Sequence, residues 1–151
     1  MAREEKNRHA EGACLGNMGG SYYSLGNIER AIECYEEVLV IAQSMHNKKH
    51  EAHTLYGLGI CYSALGNEAK AIEYFEKALT VHRKAFGDAH PHVATDWNNL
   101  GSAWAAKGEY DKAIAATPGG QVKALKLYIT DDTGTDRFYG NFPEEARAEL
   151  E

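Results

Sequence analysis

Three histidines stand close together past the middle of the chain: His82, and the pair in His90-Pro91-His92. Imidazoles grouped in this way could touch a metal ion. A closed site needs a fourth donor, none is evident nearby, and the reading is that no metal is bound. Asp131-Asp-Thr-Gly-Thr-Asp136 offers carboxylates for calcium. It lacks the alternating oxygen positions and the distal Glu of a calcium loop, so an ordinary turn is expected. Thr117-Pro-Gly-Gly is rich in glycine, but no Gly-Lys-Ser/Thr follows to cradle a phosphate. No Ser, His and Asp set is suggested by local sequence. Catalytic residues and cofactors are therefore expected to be none, the chain is not expected to be an enzyme, and the chemistry left is non-covalent recognition.

The cysteines support that reading. Cys14, Cys34 and Cys61 are odd in number and widely spaced, unlike a disulfide framework or a zinc site. They are expected to be reduced thiols packed in helices, which suits a cytoplasmic protein. A formal net charge of -6 over 151 residues gives no attraction for phosphate backbones, so nucleic acid is not an expected partner. No stretch approaches the roughly 18 apolar residues that span a bilayer. The first residues, Met1 to Arg8, are charged and lack the apolar run of a signal peptide. Hydrophobic residues make up 44%, enough for a core.

The elements that would position a recognition surface repeat along the chain. Met18-Gly-Gly-Ser-Tyr-Tyr-Ser-Leu-Gly-Asn returns as Leu58-Gly-Ile-Cys-Tyr-Ser-Ala-Leu-Gly-Asn, and again as Leu100-Gly-Ser-Ala-Trp-Ala-Ala-Lys-Gly-Glu. Each copy leads into an Ala-Ile pair, at Ala31, Ala71 and Ala113. The turn glycines Gly26, Gly66 and Gly108 lie 40 and then 42 residues apart. Leu15, Met18, Gly19 and Tyr22 fall on one helical face, as do Leu55, Leu58, Gly59 and Tyr62, and Trp97, Leu100, Gly101 and Trp104. A glycine inside a helix costs about 1 kcal/mol relative to Ala. Three at one phase predict a compensating close approach of the following helix. Gly26, Gly66 and Gly108 are expected to end their helices in the left-handed conformation. Ala31, Tyr35 and Val38, and Ala71, Phe75 and Ala78, form the facing stripe of the second helix.

This pattern resembles the tetratricopeptide repeat family, with Leu/Trp, Leu-Gly, Tyr, Gly, Ala, Phe/Tyr and Ala at the family's spacing over roughly residues 12–116. The period exceeds the usual ~34 residues, so longer second helices and connections are implied. Such a long period resembles repeats of the kinesin-light-chain or Leu-Gly-Asn type, and Phe86-Gly-Asp-Ala-His-Pro-His-Val-Ala-Thr-Asp-Trp-Asn-Asn-Leu is similar to the kinesin-light-chain-type connection. The implied fold class is all-α, a tetratricopeptide-type α-solenoid of antiparallel helix pairs with about three repeats. The expected division is a charged extension over 1–11, repeats at about 12–51, 52–93 and 94–116, and an irregular segment over 117–151. Pro91 is expected to open the third repeat's first helix.

After Ala116 the pattern breaks. Thr117-Pro-Gly-Gly is a strong helix breaker, yet Lys123-Ala-Leu-Lys-Leu-Tyr-Ile resembles Lys77-Ala-Leu-Thr-Val-His-Arg of the second repeat. One reading is an interrupted second helix that resumes near Gln121 and ends near Asp131. The alternative is that everything beyond Ala116 is unrelated to the repeat. Arg137-Phe-Tyr-Gly-Asn-Phe has strand character without an obvious partner. Pro143 to Glu151 reads as a terminal helix.

By the family's register, the residues beside the packing face of each first helix point into a groove. The expected groove residues are Asn17 and Tyr23 in the first repeat, His53, Tyr56 and Ile60 in the second, and Asn98, Asn99 and Ser102 in the third. Ala13, Gly16, Gly20 and Gly57 share the same register. None is Lys or Arg, whereas the chaperone-binding members of the family clamp a terminal carboxylate with Lys, Arg and Asn at such positions. The expected partner is therefore a protein or peptide of neutral or mixed charge, in extended or helical form, with the tyrosines as anchors and asparagines offering both donor and acceptor. The role implied is that of a scaffold or adaptor. A second role, self-association into homo-oligomers by end-to-end stacking of an exposed terminal repeat, is carried alongside.

Overall fold

Asparagine and glycine punctuate the helices of the computed structural model, which describes residues 1–109, 112–113, 116, 129–130 and 136–137. The helices are α1 (Ala2–Ser24), α2 (Ile28–Ser44), α3 (Lys48–Ala64), α4 (Glu68–Phe86) and α5 (Pro91–Ala106). Asn27, Asn47 and Asn67 precede α2, α3 and α4, and each side chain accepts the backbone N–H three residues on, at 3.3, 3.1 and 3.2 Å. One of the N–H groups that a helix start leaves without a partner is thereby satisfied. Gly26, Gly66 and Gly108 have φ of 78, 74 and 84°, the left-handed geometry expected of them. The turn between α2 and α3 has the same bonding, His46 N–H to Gln43 O and Asn47 N–H to Ala42 O. Here a histidine, with φ of 51°, stands where the other turns use glycine. Pro91 opens α5, where its missing N–H costs nothing.

The chain forms two compact units, Met1–Asp96 and Trp97–Glu151. In the first, α1 packs on α2, α2 on α3, and α3 on α4. Its core comes from one stripe of each second helix, with Ala31, Val38, Ala71, Phe75 and Ala78 fully enclosed, and from Ala52, Leu55, Leu58 and Cys61 of α3. The mid-helix glycines are repaid in a more particular way than close helix approach alone. A Cβ on Gly19 would lie 3.1 Å from the Tyr35 ring, and one on Gly59 would lie 2.5 Å from the Phe75 ring. In these two repeats an aromatic ring of the second helix lies across the glycine. In the second unit a Cβ on Gly101 would instead lie 3.4 Å from the backbone oxygen of Ala113.

Two details depart from the sequence pattern. Met18 shares the helical phase of Leu58 and Leu100, which are 0% exposed, yet it is 47% exposed. Leu58 lies on α3, which has α2 on one side and α4 on the other, whereas α1 packs on α2 alone. Cys14, expected among the packed thiols, is exposed; Cys34 and Cys61 are buried, and all three are free. The charged residues from Ala2 to Glu11 are helical and continue α1.

In the second unit Leu100, Ala103, Ala113 and Ala116 are buried. Ile129–Thr130 pairs antiparallel with Asp136–Arg137, so Arg137 does have a strand partner and Ile129 is not helical. The expected interruption at Thr117 to Gly120, a helix from Gln121 and the terminal helix from Pro143 lie outside the described residues.

Candidate functional site

The first helices α1 and α3 present the expected groove residues of the first two repeats to one cleft of about 440 Å³. From α1 come Ala13, Gly16, Asn17 and Tyr23; from α3 come His53, Tyr56, Gly57 and Ile60. These positions are brought together because α1 and α3 both pack on α2, so that residues one step off each packing face converge. Register alone did not place several further lining residues. Tyr35 and Val38 reach the cleft from α2, and His50, Thr54 and Cys61 from α3. The helical stripe places Tyr35 in the packing alone; the signal that it reaches further is the glycine at position 57, where the first and third repeats carry Asn17 and Asn99. Asn98 and Ser102 are exposed on α5, with the Ser102 hydroxyl donating to Asn98 O at 3.0 Å, and Asn99 is half-buried.

Nothing lining the cleft is Lys, Arg, Asp or Glu. Its two histidines are held towards the neutral form. Burial, then the neighbouring His92, His82 and His50, pushes His53 below its ordinary value of 6.5. Burial and His9 do the same for His50. At neutral pH the cleft is therefore formally uncharged. The Tyr56 ring is braced 6.0 Å from Phe75 and 6.3 Å from His53. The Thr54 hydroxyl is already used, donating to His50 O at 2.8 Å.

A second cavity, of about 510 Å³, opens among α2, α3 and α4. Two of its carboxylates, Glu51 and Glu73, are engaged within the protein. Glu51 takes the Lys48 ammonium at 2.7 Å and the Gln43 amide at 3.3 Å, and Glu73 takes Lys77 at 2.5 Å.

The histidines that invite a metal reading are arranged for something else. His82 Nδ1 lies 2.5 Å from Asp96 Oδ2, with both residues buried. The His92 ring stacks on His82 at 5.2 Å, and His90 stacks on Phe86 at 4.2 Å. His90 Nδ1 accepts the His92 backbone N–H at 3.2 Å. Among the described residues no group of three His, Cys, Asp or Glu could hold a metal ion.

The left-handed turn glycines recur with the repeat, the aromatic-on-glycine packing is shared by the first two repeats, and the Tetratricopeptide repeat family model matches residues 10–83 and 64–116. The chain belongs to the tetratricopeptide repeat family. Solved tetratricopeptide structures share the fold. The TPR domain of Arabidopsis FLU superposes with a TM-score of 0.67 at 19% identity, covering 72% of this chain and 90% of that one. A Podosopora anserina kinesin light chain-like protein of nearly identical TPR-like repeats gives 0.63 at 23% identity, over 76% of this chain and 54% of that one. BtubC (BKLC) from P. vanneervenii gives 0.54 at 16% identity, over 87% and 69%. The chain thus spans about half the length of the kinesin light chain-like structure. No curated protein matches this tetratricopeptide chain. Among its described residues no helix is long and apolar enough to cross a membrane.

Proposed function

We propose that this tetratricopeptide protein is a cytoplasmic scaffold or adaptor that captures a peptide segment of a partner protein in the α1–α3 cleft, without catalysis. The tetratricopeptide fold is a protein–protein interaction module. The observation that carries the finer reading is the cleft itself: uncharged, open, and edged by the rings of Tyr23 and Tyr56. Aromatic side chains supply large contact area at small entropic cost and dominate binding energy at protein interfaces. A cleft with no cation does not favour the acidic C-terminal tails that a Lys/Arg clamp would hold. Asn98, Asn99 and Ser102 are carried as recognition residues of the third repeat by itself. Peptides selected from a random displayed library are expected to bind the protein and to lose affinity at least tenfold on Tyr56→Ala, with helicity by circular dichroism unchanged. Undiminished binding by that variant refutes the cleft.

One observation favours self-association as a second reading. Met18 of α1 is 47% exposed and Leu25, just past its end, is 81% exposed, so two large apolar side chains stand open to a partner. Light scattering across a concentration series separates the readings, because a stacked assembly dissociates on dilution and shifts with Met18→Lys.

A further inference from the structure

The side chain at the floor of the cleft does more than its packing requires. Tyr35 of α2 and Phe75 of α4 occupy the same place in successive repeats, facing Gly19 and Gly59. Phe75 shows that a bare ring satisfies the packing. The hydroxyl of Tyr35 is therefore surplus to the fold, and it has no hydrogen-bond partner among the described residues. It is also uncovered. A Cβ on Gly57 would lie 3.4 Å from the Tyr35 Cζ, and one on Gly20 would lie 3.7 Å from its hydroxyl oxygen, whereas one on Gly16 would meet nothing within 4 Å. The first and third repeats carry Asn17 and Asn99 at the phase of Gly57. A side chain there would lie over the hydroxyl end of the ring, and glycine leaves that end of the ring open to the cleft.

Resting on the cleft as the binding site, we infer that Tyr35 is a specificity-determining residue: its hydroxyl donates a hydrogen bond to a main-chain carbonyl of the ligand, and the ligand is an uncharged peptide segment held in extended conformation. A helical ligand has its carbonyls engaged within itself, so only an extended segment offers them to the floor. A helix is also about 10–12 Å across, and roughly one turn of it would fill the 440 Å³ available. With no glycine side chain in the way, a ligand's main chain can approach the floor closely. Asn17 at the rim offers a donor and an acceptor of its own, which suits the same extended backbone. Burial raises the Tyr35 phenol above its ordinary value of 10.0, with Cys61, Cys34 and Tyr23 adding smaller effects, so the hydroxyl keeps its proton and remains a donor at neutral pH. A formal charge on the ligand would lose its water without gaining a counter-ion, which sets the preference for uncharged sequences.

The test is selection of a random heptapeptide display library against the full chain, followed by affinity measurement of the enriched peptides on wild type, Tyr35→Phe and Tyr56→Ala. Tyr35→Phe reproduces the ring that the second repeat already uses, so its melting temperature is expected to match wild type. Enriched peptides are expected to lack charge in their central residues and to bind Tyr35→Phe about tenfold more weakly, the size of one lost hydrogen bond. A thioamide scan of the best peptide is expected to show one carbonyl whose weakening costs affinity in wild type and nothing in Tyr35→Phe. If Tyr35→Phe binds like wild type while Tyr56→Ala does not, the cleft stands and the role of Tyr35 is overturned. Enrichment of acidic or basic peptides likewise overturns the inference. If no peptide is enriched, or Tyr56→Ala binds as well as wild type, the cleft reading fails and the inference falls with it.

Discussion

The Phe75 ring lies against Gly59, so close that a Cβ on that glycine would sit 2.5 Å from Phe75 Cε1. Phe75 is enclosed on the other side by the α3–α4 core and has nowhere to retreat. Gly59→Ala is expected to destabilise the protein by about 1–3 kcal/mol, as overpacking does. Gly16→Ala is the matched control, since its Cβ would meet nothing within 4 Å. That change is expected to be neutral or stabilising by up to ~1 kcal/mol through helix propensity. Urea denaturation of both variants reads the contrast, and an equal loss at the two sites would contradict it.

Equivalent positions in a repeat need not be equivalent in energy. Leu58→Ala is expected to cost about 2–5 kcal/mol, because the side chain is fully enclosed and leaves a cavity. Met18→Gln, at the same phase but exposed on α1, is expected to stay within about 0.5 kcal/mol. A large loss at Met18 in dilute protein would show that its face is covered in solution, and would favour self-association.

The cysteines separate by environment. Cys14 is exposed, whereas burial pushes the Cys61 thiol up to about 11 and raises Cys34 as well, with Glu37 and Glu33 contributing at Cys34. The thiolate is the reactive form. Native protein at neutral pH is expected to take one maleimide rapidly, at Cys14, and the other two only on unfolding. Mass spectrometry of a labelling time course checks this; fast labelling at Cys61 would contradict the packing of α3.

Asp96 sets a pH dependence. Burial raises its carboxyl above the ordinary 3.8, against the opposing hydrogen bond from His82, and its Oδ1 has no hydrogen-bond partner among the described residues. The folded state therefore holds the proton more tightly than the unfolded chain. The stability this contributes is complete below 3.8 and is lost as pH rises through the folded value. Asp96→Asn removes that titration while keeping an oxygen for His82. The unfolding free energy of wild type relative to Asp96→Asn is expected to fall as pH climbs from about 3.5 toward neutrality. A relative rise over that window would contradict it.

Much of this was legible in the chain. The 40-residue recurrence, Gly26 and Gly66 at helix ends and Pro91 at a helix start need only local chemistry, and each stands where it was expected. The converging positions Asn17, Tyr23, His53, Tyr56 and Ile60 follow from helical phase. Exposure at Met18 was not legible, because phase says which way a residue faces and not whether another helix is there. Nor was His46, which adopts a glycine's turn geometry with φ of 51°. Tyr35 was hidden for a different reason. Its stripe marks it as core, and the ring is seen to line the cleft beside Gly57 only in three dimensions.

The most direct measurement is a two-dimensional amide NMR titration of the full chain with the best library-selected peptide. Capture in the α1–α3 cleft predicts the largest shifts at Asn17, Tyr23, His53, Tyr56, Gly57 and Ile60, and their loss with Tyr56→Ala. Shifts confined to the α2–α4 cavity around Glu51 and Lys77, or to the Met18 side of α1, would contradict it.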